Sequence, residues 1–128
     1  MNRLPVVQRY LLYAALLILL ATGVAWEVVS AGPAAALLMK VHGGAAMLAL
    51  VLLGTLVVHH IPAGWASFKN RWSGVLLLVA LGWLVASGYL LYYSGSESLR
   101  SFASESHLWV GVAGCVAVAS HLRRSALT

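Results

Sequence analysis

Charge is what this chain has least of. Of its 128 residues only 9% are charged and 62% are hydrophobic, and the three acids are all glutamates: Glu27, Glu97 and Glu105. A water-soluble domain needs a polar shell that this composition cannot supply, so the chain reads as an integral membrane protein. Cysteine is also nearly absent. Cys115 stands alone, which excludes an intramolecular disulfide, a cysteine-rich metal centre and a C-x-x-C-H site for covalent haem; it reads as a small core residue. No flavin, nicotinamide or substrate motif is recognisable. Any chemistry must therefore come from a bound group or from partners.

What is present is apolar length. A bilayer crossing needs about 20 apolar residues, and four runs qualify: Tyr10 to Val29, Val41 to Ile61, Trp72 to Tyr93, and one ending at Leu122. The first exceeds the roughly 7–15 residues of a signal-peptide core, which favours a retained span over a cleaved leader. The clearly apolar part of the last, Leu108 to Leu122, would rise only about 22 Å. Its helix should therefore start near Ser101, making part of the polar Ser94 to Ser106 stretch helical. Ala31-Gly32-Pro33, Pro62-Ala63-Gly64 and Ser94-Gly95-Ser96 are expected to break the chain between spans. The reading is an all-α membrane protein: one transmembrane domain over residues 1–128, an up-down-up-down four-helix bundle.

The few charges orient it. Arg3, Arg9, Lys69, Arg71, Arg123 and Arg124 fall on one side, whereas Lys40 and Arg100 fall on the other with the three acids. The positive-inside rule makes the first side cytoplasmic and places both termini there, in what we expect to be a bacterial inner membrane. A net charge of +5 could otherwise suggest nucleic acid. Here the topology accounts for it, and lipid is the expected partner.

A short repeat supports two related halves. Thr22-Gly23 is followed by His42 and Ser87-Gly88 by His107, with the glycine 19 residues before the histidine each time. Ionisable residues inside a membrane are functional candidates by default, and here all five histidines lie on the second and fourth spans. His107 and His121 are 14 residues apart, on one helix face within about 40° and about 21 Å apart along the axis. His42 and His60 are 18 apart, five turns, hence on one face and about 27 Å apart; His59 sits about 100° off it. In the expected bundle His42 would meet His107 near the outer surface and His60 would meet His121 near the inner one.

Two imidazoles per layer are too few for a tetrahedral zinc site, but suffice as the axial ligands of haem. The same faces carry Gly111, Gly114 and Val118 on the fourth span and Ala46, Ala49 and Leu53 on the second, which leaves room for a flat group. At these residues the sequence resembles the bis-histidine, dihaem membrane cytochromes b, in particular the compact cytochrome b561-like four-helix class. The resemblance implies two non-covalent b haems and transmembrane electron transfer, often coupled to quinone. It would assign His42 and His107 to the outer haem and His60 and His121 to the inner one, with His59 as the alternative to His60.

One departure is that 14 residues separate the ligands on the fourth span and 18 on the second, a difference of about 6 Å. Helix tilt and rotamers could absorb it, or His42 could lie outside the regular helix where Gly43-Gly44 loosens the backbone. Haem propionates want cations at the aqueous ends: Lys40 and Arg100 outside, and Lys69, Arg71, Arg123 and Arg124 inside. Trp26, Trp65, Trp72 and Trp109 read as interfacial anchors, and Trp83 as core. The Ser94 to Ser106 stretch is a candidate dock for quinone or a redox partner protein, although a solvated helix cap explains it as well. Two rival functions remain. A histidine-based metal or proton transporter would need polar residues near the midplane, where there are almost none; a membrane anchor subunit of an oxidoreductase would need at most one haem.

Overall fold

The computed structural model describes residues 5–29, 31–66, 68 and 70–127; the side chains of His59 and of residues 125–127 lie outside that description. Its elements are α1 (Val6–Val28), α2 (Pro33–Ala66), α3 (Arg71–Tyr93) and α4 (Glu97–Leu127). All four are long and apolar enough to cross a membrane, over Val6–Val28, Pro33–Val58, Arg71–Tyr93 and Glu97–Arg124. The chain is thus a small all-α integral membrane protein with four candidate spans.

It divides after Phe68 into two compact units, each a helical hairpin. In the first, α1 packs on α2; in the second, α3 packs on α4. Both hairpins are antiparallel. Thr22 near the end of α1 meets His42 near the start of α2, whereas Gln8 at the start of α1 meets Thr55 far along α2. Ser87 and Ser73 of α3 meet His107 and His121 of α4 in the same crossed order.

The buried positions are mostly small: Ala15, Thr22, Ala35, Ala45 and Ala49 in the first hairpin, Ser87 and Ala103 in the second. Without a hydrophobic drive between helices in lipid, close backbone approach through small side chains is what holds such pairs together. Large apolar residues such as Leu17, Val51, Leu76 and Val116 stay exposed, which suits a hydrocarbon solvent.

The turns explain where helices begin. Gly32 has φ +97°, a left-handed conformation that glycine adopts without a Cβ penalty. Its carbonyl accepts from Ala36 N–H at 3.2 Å, and Pro33 follows at the first helical position, where its missing N–H is no loss. Asn70 before α3 is also left-handed, with φ 56°, as short amide side chains tolerate. The breaks expected at Ala31-Gly32-Pro33 and Ser94-Gly95-Ser96 are both present.

Two expectations fail. α2 does not stop at Pro62 but runs through it to Ala66. Proline removes one backbone hydrogen bond and strands the carbonyl four residues back, here that of Val58, close to the end of the helix. Nor does His42 lie outside regular helix: α2 is α-helical from Pro33 onward, through Gly43 and Gly44, so backbone loosening there does not relieve the spacing mismatch.

Candidate functional site: hydroxyl-anchored histidines

Adding 65 to the bounds of α1, Val6–Val28, gives those of α3, Arg71–Tyr93. The same shift carries Thr22-Gly23 to Ser87-Gly88 and His42 to His107. The short repeat therefore belongs to a duplication of the whole hairpin. Its chemistry is repeated too.

In the first hairpin Thr22 Oγ1 lies 2.6 Å from the Ile18 carbonyl, to which it donates, and 2.8 Å from His42 Nδ1. In the second, Ser87 Oγ donates to the Trp83 carbonyl at 2.7 Å and lies 2.8 Å from His107 Nδ1. A hydroxyl has one proton. If that proton goes to the helix carbonyl, the oxygen accepts from the ring, which puts the hydrogen on Nδ1 and the lone pair on Nε2. Ser87 is fully buried and Thr22 nearly so, which keeps water from competing.

The glycines of the repeat sit under the rings. A Cβ at Gly23 would lie 3.6 Å from His42 Cε1, and one at Gly88 would lie 3.7 Å from His107 Cε1. These are ordinary van der Waals distances, so the hydroxyl is the part of the motif with a chemical task.

A third imidazole is held in the same way. Ser73 Oγ donates to the Asn70 carbonyl at 2.9 Å and lies 2.9 Å from His121 Nδ1. Ser73 and Ser87 are 14 residues apart, as are His107 and His121, so the antiparallel register of α3 on α4 pairs hydroxyl with histidine twice. Sequence reasoning missed Ser73, although this matched spacing is visible in the sequence. Beside it is a cavity of about 330 Å³ lined by Trp72, Ser73, Leu76, Ala117, Ser120 and Arg124.

The fourth imidazole is not equivalent. Shifting His121 back by 65 gives Leu56, and Gln8, the counterpart of Ser73, hydrogen-bonds Thr55 instead. His60 lies one helical turn beyond Leu56. The 18-against-14 spacing is thus a break in the repeat, confined to the C-terminal end of α2. His60 is an exposed residue of α2. The backbone of His59 is helical; its side chain is outside the described residues.

Around these groups, Trp83 donates its indole N–H to Ser106 Oγ at 3.2 Å and meets Phe102 edge-on at 6.0 Å, which settles its polar atom inside the second hairpin. Arg100 precedes His107 by seven residues and so shares its face two turns out, whereas Lys40 precedes His42 by two and lies about 160° round the helix. Both are exposed. Of these two cations, only Arg100 shares the face of the histidine that follows it. Gly111 abuts Leu84, 3.8 Å from its would-be Cβ, while Gly114 has no atom within 4 Å of that position. Among the described residues no group of three or more histidine, cysteine, aspartate or glutamate side chains could hold a metal ion. The donor group that recurs among the described residues is histidine with a hydroxyl at Nδ1.

The fold and these sites define a class, a small multi-span membrane protein with paired helical hairpins and anchored histidines. No protein-family model, curated protein or solved structure matches the chain.

Proposed function

We propose that the protein carries electrons across a membrane through two non-covalently bound b-type haems, one ligated by His42 and His107 and the other by His60 and His121. The observation that carries this reading is the hydroxyl contact at Nδ1 of His42, His107 and His121. Metal-ligating histidines characteristically donate their second ring N–H to an acceptor that fixes tautomer and orientation. The group, when bound, supplies a one-electron Fe(III)/Fe(II) couple; the protein's part is to ligate, insulate and tune it.

For the chain's own residues the assignments follow from position. His42, His107 and His121 would offer Nε2 and His60 would complete the ligand set, Arg100 at the outer end and Arg123 and Arg124 at the inner end would offer positive charge to propionates, and the small residues Ala46, Ala49, Gly111 and Gly114 would limit bulk between ligands. Both termini lie in the cytoplasm, since the basic residues gather on that side. A quinone or a redox protein is the exchange partner on one side and an acceptor completes the path on the other.

The test is vectorial transfer. Proteoliposomes with ferricyanide trapped inside and a membrane-impermeant reductant outside are expected to lose ferricyanide absorbance only when the protein is present. Equal rates in protein-free vesicles would remove the function.

A further inference from the structure

Among the described residues, six side-chain hydroxyls return a hydrogen bond to a backbone carbonyl three or four residues back: Thr22, Thr55, Ser73, Ser87, Ser106 and Ser120. Such back-bonding is common for serine and threonine in apolar helices and by itself signals nothing. Three of the six, however, also meet an imidazole, and each time at Nδ1. Those imidazoles are three of the four in the ligand set. Two of the contacts are related by the 65-residue duplication and the third arises separately, from the register of α3 on α4.

We propose that Thr22, Ser87 and Ser73 are positioning residues that hold His42, His107 and His121 in the Nδ1–H tautomer and strengthen Nε2 as a donor to iron. The proposal rests on the haem reading and deepens it. An acceptor at Nδ1 draws the ring proton outward and leaves more negative charge on Nε2. A stronger donor favours the ferric state, so losing the acceptor raises the reduction potential. Turning round to donate to the ring would put the lone pair on the wrong nitrogen and would cost each hydroxyl its bond to a backbone carbonyl. The fully buried Ser87 should show the effect at its largest.

The variants are Thr22→Val, which keeps the branched shape and removes the hydroxyl, Ser87→Ala, and Thr22→Ser as the conservative control. Each is purified as the full chain, with helix content checked by circular dichroism. Haem binding and redox titration of the loaded protein form one arm. Expected are about a 10–100-fold loss of affinity at one haem, a rise in that haem's potential, an unchanged second haem, and recovery in Thr22→Ser. The other arm is the nitrogen-15 spectrum of histidine-labelled chain prepared without haem. His42 and His107 are expected as Nδ1–H tautomers in the parent, and the assigned signal is expected to lose that preference in the matching variant.

Unchanged potential and affinity in both Thr22→Val and Ser87→Ala, with haem retained, overturns the positioning role and leaves the haem reading standing. A parent protein that takes up no haem overturns the reading itself and any role toward iron. Nε2–H tautomers in the unloaded parent would show that the hydroxyls do not orient the rings and also overturn the proposal.

Discussion

Replacing His107 by alanine is expected to remove one of two low-spin haems from the purified protein and leave the other in place. His107 and His42 occupy equivalent positions in the duplicated hairpins, and each ring is tied to the neighbouring helix at 2.8 Å. One lost ligand leaves a single axial imidazole, so His42→Ala is expected to cost the same haem, and the double variant no more than either single change. His121 sits about 21 Å along α4, beyond the distance at which substitutions usually couple. His121→Ala should therefore lose the other haem. Iron content and the reduced-minus-oxidised spectrum of each variant decide this. If His42→Ala and His107→Ala remove different haems, the assignment of these two histidines to one haem is wrong.

The second large effect separates two neighbours. His60→Ala is expected to abolish the inner haem, while His59→Ala keeps it. α2 is continuous from Pro33 to Ala66, so the helical register applies without interruption between His42 and either candidate. Eighteen residues make five whole turns and return His60 to the face of His42; His59 falls about 100° away. The duplication sharpens what is unusual here. The position equivalent to His121 is occupied by Leu56, and His60 lies one turn further toward the end of the helix. The inner haem would then have one ligand anchored by Ser73 and one without a counterpart in the repeat, so the two sites should differ in potential. Loss of the inner haem in His59→Ala with retention in His60→Ala would refute the face argument.

Much of this was legible in the residues. Four spans follow from apolar length and scarce charge, and the glycine and serine punctuation marks two of the three breaks. The boundaries were read too short because apolarity, not helicity, sets a span: α2 begins at Pro33 through the alanine-rich lead, and α4 begins at Glu97 through a polar but helix-compatible stretch. Pro62 misled because a proline costs a helix one backbone bond without always ending it. In the candidate site, the Thr-Gly and Ser-Gly repeats lead to two of the histidine contacts, but the glycine drew notice while the hydroxyl carries the contact. Which nitrogen of a ring is held is invisible in a sequence, since it depends on the rotation of two packed helices.

The central claim is that the chain holds two bis-histidine haems. Its most direct test is the haem-to-protein ratio of the purified chain, with electron paramagnetic resonance of the oxidised form. The account predicts two haems per chain, both low-spin and ferric. A chain purified from haem-replete membranes with no haem, or with a single one that survives loss of His42 and of His107, would contradict it.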